Sequence, residues 1–300
     1  MKYLVTGGAG FIGSNIVKLL VKNNHDVNVI DNLHTGNLSR LEGIKDKINF
    51  YKIDIRDGKT LKDVIKDVDG IFHEAALTAV PESFLNPEEY HDVNVNGTRN
   101  VFKIAKKYGI KVVFASSSSV YGDVKSVPIK ENFEKNPINP YGKTKVEKEK
   151  LAEKFWNDGV SIIGLRYFNV YGKGQTGTYA GVITQFMKRL RKNLPPIIHG
   201  EGNQIRDFIS VEDVAKVNLM SMESSHLQDF LNVGTGKAIS ILELVKMMIK
   251  ISAKDLSPIF DEELPGDIEK SQANTSRVKD RIGWNYSIEL ENGLTKLMTE

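Results

Sequence analysis

Two side chains four residues apart, Tyr141 and Lys145, are the best candidates in this sequence for moving a proton. On a helix they share a face. An ammonium held beside a phenol favours the phenolate, whose reference pKa is about 10, so the pair suits a general base working near neutrality. The same spacing also occurs on solvated helix faces, and the surrounding chain has to decide between the two.

The neighbouring residues predict the helix that would hold the pair. Val146 to Trp156 is rich in helix formers, Pro140 suits a first turn, and Gly159 lies just past the end. Tyr141, Lys145, Ala152 and Trp156 then fall on one stripe. The alternating charges from Lys145 to Lys154 read as a solvated face.

A second constellation lies at the start of the chain. Lys2 to Thr6 reads as a strand, Gly7-Gly8-Ala9-Gly10-Phe11-Ile12-Gly13 as a loop, Phe11 to Lys22 as a helix, and Asp26 to Ile30 as a second strand ending at Asp31. In such a unit Gly7 makes the tight turn, Gly10 lets the backbone approach a pyrophosphate, and Gly13 lets helix and strand pack closely. Asp31 is placed to bond a ribose hydroxyl pair. A carboxylate there repels a 2′-phosphate, and no arginine follows between Asn32 and Ser39, which favours NAD over NADP.

Strand and helix patterns continue to alternate as far as Asn169, which predicts an α/β fold with a Rossmann-like doubly wound parallel sheet. Pro87 to Tyr108 reads as one long helix. Gly7, Asp31, Asp54, Ala75, Ser117 and Asn169 should gather beyond the carboxyl ends of the strands. Past Val170 the pattern loosens. We expect an NAD-binding domain over 1–170 and a smaller mixed α/β substrate-binding lobe over 171–300, with segments near 206–236 partly returning to the first.

Bulk properties narrow the class. The 300 residues are 40% hydrophobic and 26% charged with a net charge of +3, which suits a folded protein and offers no nucleic-acid stripe. There are no cysteines, so thiolate chemistry and cysteine-bound zinc are excluded, and His34, His199 and His226 lack metal-ligand spacing. No apolar run approaches a membrane span, and a cytoplasmic location is expected. His73 reads as a packing residue.

Taken together, the glycine loop, Asp31, the Asn94 motif, the serine run Ser116 to Ser119, Tyr-x-x-x-Lys at 141–145 and Arg206-Asp207-Phe208 occur in an order that resembles the extended short-chain dehydrogenase/reductases. Within them the chain resembles the nucleotide-sugar epimerases and dehydratases. The resemblance implies NAD as cofactor, a UDP-sugar as substrate, and C4 epimerisation of a UDP-hexose through a 4-keto sugar. It assigns Ser117, Tyr141 and Lys145 to catalysis. Gly7, Gly10, Phe11, Ile12, Gly13, Asp31, Asn32, Asp54, Ile55, Ala75, Leu77, Asn94, Tyr141, Lys145 and Tyr167 match cofactor-contacting positions. Ser117, Asn169, Arg206 and Ser271 match substrate positions, the small Ser271 leaving room for an N-acetyl group. It further implies a homodimer through helices at 87–108 and 141–158.

Two positions bear on the subclass. Dehydratases of this type carry an acidic pair where this chain has Ser118 and Ser119, and serine cannot replace a carboxylate in acid-base work. Leu264 stands where many relatives have a phosphate-binding arginine. A 4-reductase, a decarboxylase, a uronate epimerase and a non-catalytic NAD-binding regulator remain as alternatives.

Overall fold

The computed structural model describes residues 1–176, 181–263 and 268–299. In the first half, β1 (Lys2–Thr6), β2 (Asp26–Ile30), β3 (Ile48–Tyr51), β4 (Gly70–His73), β5 (Lys111–Ser117) and β6 (Ile162–Tyr167) alternate with helices. These are α1 (Phe11–Lys22), α2 (Gly58–Ile65), α3 (Val80–Leu85), α4 (Pro87–His91), α5 (Thr98–Tyr108) and α6 (Pro140–Asn157). After β7 (Asn169–Tyr171) come α7 (Val182–Arg191), β8 (Ile197–His199), β9 (Ile205–Ser210), α8 (Val211–Glu223) and β10 (Gln228–Val233). The chain ends with β11 (Ala238–Ser240), α9 (Ile241–Ser252), β12 (Ile259–Asp261), β13 (Lys270–Ser271), α10 (Ser276–Ile282) and α11 (Leu290–Thr299).

Seven strands form one parallel sheet in the order β10-β6-β5-β4-β1-β2-β3. Winding reverses between β1 and β4, so a crevice opens there beyond the strands' carboxyl ends. Every residue of β4 and β6 is buried, as expected of strands covered on both faces. Alternation divides the core. Tyr3 and Val5 pack with Ile16, Val214 and Val217 on the α1/α8 face, while Leu4 packs with Phe102, Phe114 and Ala152 on the α5/α6 face.

The remaining strands build a smaller layer. β9 pairs with β7 and β13 in parallel and with β11 antiparallel. The Asp207 carboxylate ties this layer to the end of β10 by accepting N–H bonds from Thr235 (2.8 Å), Gly236 (2.9 Å) and Ala273 (3.1 Å). α8 packs against α1, and β10 occupies the edge of the main sheet beside β6.

Two expectations need correction. Pro87 to Tyr108 is not one regular helix, because a wide π-type turn at Asp92–Gly97 separates α4 from α5. Asn94 sits in that turn with its side chain drawn into the core, and Gly97 lies against Ile55, where an added Cβ would come within 2.6 Å of the Ile55 side chain. Nor is Lys145 to Lys154 a solvated face. Lys145, Lys148 and Glu149 are buried, and Glu147, Lys150, Glu153 and Lys154 are the charged residues of this stretch that meet solvent. Among the described residues no helix is long and apolar enough to cross a membrane.

Candidate active site

The loop after β1 is shaped around glycine. Gly7 has φ +68°, and a Cβ there would lie 2.7 Å from the Ala75 nitrogen. At Gly13 an added Cβ would meet the Gly7 carbonyl at 2.2 Å, so the start of α1 can approach the loop only without a side chain. Gly10 caps α1 with no side-chain acceptor, and the first turn carries no acid. The N–H groups and positive end of that helix are left for an anion, so the cradle fits a dinucleotide pyrophosphate.

Eight of the expected cofactor residues line one cleft beyond β1, β2 and β4: Gly7, Gly10, Asp31, Asn32, Asp54, Ile55, Ala75 and Leu77. The Asp31 carboxylate accepts from the Ala9 N–H at 3.0 Å and the Leu33 N–H at 2.8 Å. Burial pushes its pKa up, against those two donors and the charge of Arg40. Arg40 donates to the carbonyls of Ala9 (3.0 Å) and Gly174 (3.0 Å), so it straps the glycine loop to the segment after β7. Arg56 grips Asp54 at 2.8–2.9 Å, with Asn32 adding a bond at 3.0 Å, which holds the Asp54 carboxyl well below its usual range. Neither arginine was anticipated. Arg40 lies nine residues past Asp31, just beyond the stretch inspected for a phosphate-binding arginine.

Four expected cofactor residues are placed differently. Phe11 and Ile12 open α1, so their backbone N–H groups belong to the anion cradle although neither is among the cleft-lining residues. Asn94 is fully buried and its amide is engaged at both ends. It accepts from the Leu77 N–H (2.8 Å) and donates to the Leu77 carbonyl (3.0 Å) and the Thr144 hydroxyl (3.0 Å). It therefore fixes the cleft wall to the residue next to Lys145. Tyr167 donates to Glu74 at 3.0 Å and accepts from Asn218 at 2.8 Å, so its hydroxyl is also engaged.

The proton-transfer pair sits on the first turns of α6. Asn139 caps that helix through the Gly142 N–H at 2.7 Å, with Pro140 at its first position. Lys145 is buried, and its ammonium donates to the Ala115 carbonyl at 2.9 Å, two residues before Ser117 on β5. The same ammonium lies 5.4 Å from the centre of the Tyr141 ring. Ser83 anchors the Tyr141 backbone by accepting its N–H at 3.2 Å. Ser117 is half-buried at the end of β5, and its hydroxyl accepts the Ser119 N–H at 3.2 Å.

Behind this pair lies a group of buried ionisable side chains. Burial pushes the Glu74 carboxyl up to about 7, although the Tyr167 hydroxyl and the charges of Lys145 and Lys148 pull it down. Lys148 is fully buried, its nitrogen has no hydrogen-bond partner among the described residues, and it lies 5.4 Å from the centre of the Phe114 ring. Burial and the nearby Lys145 drive its pKa well below the ordinary lysine value. His73, bonded to Thr6 at 2.7 Å and Thr98 at 2.8 Å, is a packed core histidine, and its burial favours the neutral ring.

The expected substrate residues belong to the smaller sheet. Asn169 on β7 donates to the Asp207 carbonyl at 3.3 Å. Arg206 on β9 and Ser271 on β13 are register partners, and Ser271 is buried. Leu264 lies outside the described residues.

Comparison with known proteins gives the family. Residues 3–234 match the NAD dependent epimerase/dehydratase family. The chain belongs to that family. A Methanocaldococcus jannaschii protein provisionally named UDP-glucose 4-epimerase is 41% identical, the match covering 98% of this chain and 96% of the relative. Among solved structures, the UDP-N-acetylglucosamine 4-epimerase of Methanobrevibacter ruminantium M1, in complex with UDP-N-acetylmuramic acid, superposes with a TM-score of 0.95. It is 35% identical over 99% of this chain and 97% of its own. The UDP-glucose 4-epimerase of Thermotoga maritima, with UDP-glucose, has a TM-score of 0.95 and 33% identity over 100% of this chain and 98% of its own. As a member of the epimerase/dehydratase family, this chain has the doubly wound sheet and glycine cradle of an NAD-dependent enzyme.

Proposed function

We propose that the chain catalyses NAD-dependent C4 epimerisation of a UDP-hexose, interconverting UDP-glucose and UDP-galactose through a 4-keto sugar. The observation that carries this reading is the buried Lys145 ammonium, fixed on the Ala115 carbonyl two residues before Ser117 and 5.4 Å from the centre of the Tyr141 ring, in a chain whose glycine cleft fits a dinucleotide. Bound NAD supplies the reversible acceptance of hydride from C4.

The chain's own residues do the rest. Gly7, Gly10 and the N-terminus of α1 receive the pyrophosphate, Asp31 binds a ribose, and Asp54 and Ile55 wall the far end of the cleft. Tyr141, with the Lys145 ammonium beside its ring, removes the O4 proton and later returns it. Ser117 bonds the reacting hydroxyl and orients it. Asn169 and Arg206 hold the diphosphate, and Ser271 leaves space beside C2, so N-acetylated hexoses are also accepted. Ser118 and Ser119 provide no carboxylate to expel water, and this separates the reading from dehydration.

In this reading residues 1–170 bind the cofactor and 171–300 the substrate, with α8 and β10 returning to the main sheet. The protein acts in the cytoplasm as a homodimer through helices 87–108 and 141–158. A bond of 3.0 Å between His91 and Glu147 already links those helices within one chain. Light scattering that finds a monomer at working concentration would remove the dimer.

The test is incubation with UDP-galactose, UDP-GalNAc and UDP-galacturonate, with products separated by chromatography. Conversion of the first two without net NAD consumption is expected. No conversion of any would sink the epimerase reading, and conversion of the uronate alone would transfer it to a uronate epimerase. Tyr141→Phe should lower turnover by about 10²–10⁴-fold without unfolding the protein.

A further inference from the structure

On the far side of α1 from the glycine loop, a groove of about 410 Å³ runs between α1, α8 and α11. Five lysines line it, Lys18 and Lys22 from α1 with Lys173, Lys216 and Lys296 around them, against one lining carboxylate, Glu212. That carboxylate is already taken by Lys296 at 2.6 Å, and Lys216 bonds Asp213 (3.3 Å) and Ser287 (2.7 Å). Lys18 and Lys22 form no hydrogen bond or ion pair with any described residue. Burial lowers the pKa of Lys18, and the charges of Lys173 and Arg40 lower it further. Lys18 and Lys22, two cations in one concavity with no carboxylate of their own among the described residues, leave a field that an anion would satisfy. The walls are not wholly polar: the partly exposed Leu19 and Ile288 supply an apolar surface, with Tyr171, Val211 and Ala215 almost buried behind it.

We propose that this groove is an accessory site for a phosphate-bearing ligand with an attached apolar or aromatic group, the chemistry of a nucleotide, separate from the catalytic cleft. Its phosphates lie against Lys18 and Lys22, and its apolar part against Leu19 and Ile288. Tyr171 ends β7, the strand that carries Asn169, and β7 pairs with β9, which carries Arg206. Occupancy would therefore brace the strands assigned to the substrate diphosphate.

The test is calorimetric titration of the intact protein, saturated with NAD and a UDP-hexose so that both cleft sites are filled, at about 0.15 M ionic strength. ATP and inorganic tripolyphosphate are the probes. One equivalent of ATP should bind, more tightly than tripolyphosphate because only ATP reaches the apolar wall. The double variant Lys18→Gln/Lys22→Gln should weaken ATP binding about tenfold or more, through two lost charge-assisted contacts, with its epimerase activity unchanged as evidence of an intact fold. The site is overturned if saturated protein binds no ATP, or if the double variant binds it as well as the parent. Equal affinity for the two probes would overturn the nucleotide assignment.

Discussion

α6 contributes to two charged clusters, meeting at the adjacent Lys148 and Glu149, that are built in opposite ways. On one side Glu149 and Arg166, both nearly inaccessible, form a two-pronged pair with both contacts at 2.8 Å. Ser116 (2.7 Å) and Lys135 (3.0 Å) donate to the same carboxylate, while Arg166 also donates to the Tyr121 hydroxyl (2.7 Å) and the Glu131 carbonyl (2.9 Å). On the other side lie Glu74, Lys145 and Lys148, where Lys148 has no hydrogen-bond partner among the described residues and Glu74 is pushed up to about 7. The first cluster is saturated and holds its charges. Burial pushes Glu149 up, but the Arg166 fork outweighs it and keeps the carboxylate ionised. The second is under-bonded and faces the cleft. Perturbed, incompletely paired groups gather where chemistry is done, and saturated ones where the fold is held.

One substitution type separates the two. Arg166→Met leaves Glu149 buried with its main partner gone and should destabilise the protein by about 3–5 kcal/mol in urea unfolding. The double change Arg166→Met/Glu149→Met should recover much of that loss. If Arg166→Met alone proved neutral, the saturated cluster would not be holding the fold.

Lys148→Met should have the opposite sign. It replaces an unpartnered buried amine with an apolar chain and should stabilise by roughly 1–3 kcal/mol. The gain depends on pH. Because burial lowers the Lys148 pKa, the unfolded chain binds more protons than the native state below the ordinary value of 10.5. Parent stability therefore rises as pH climbs toward that value, and the gain from Lys148→Met shrinks over the same interval. A destabilising Lys148→Met would mean that the amine has a partner in solution.

Glu74→Gln should have the smallest effect. The folded pKa is raised from 4.5 to about 7, so the native state binds the extra proton between those values. Glu74 thus contributes stability at low pH that is lost as pH rises from about 4.5 to 7. The glutamine variant should flatten stability across that window. An unchanged profile would show that Glu74 titrates as an ordinary surface acid.

The same contrast marks what could be read from the chain. The glycine loop, Asp31 and the Tyr141–Lys145 pair are local patterns, each decided by residues within one βαβ unit or one helical turn, and they were legible. Lys148 was hidden by its alternating neighbours, although it lies three residues after Lys145 on the same helical face, and that spacing was the available signal. The saturated cluster joins Arg166 on β6 to Glu149 on α6 and Tyr121 in a loop, so nothing local announces it. The wide turn at Asn94 was missed because one extra residue in a turn barely disturbs a helical pattern of apolar side chains. Arg40 acts through contacts to Ala9 and Gly174 that exist only once the chain is folded, whereas Arg56 grips Asp54 from two residues away.

The central claim is that hydride leaves C4 and returns to the same sugar. UDP-galactose deuterated at C4 tests it directly. The account predicts UDP-glucose with the label retained at C4 and no NADH released to bulk solution. Loss of the label to solvent, or turnover only with added NADH, would contradict it.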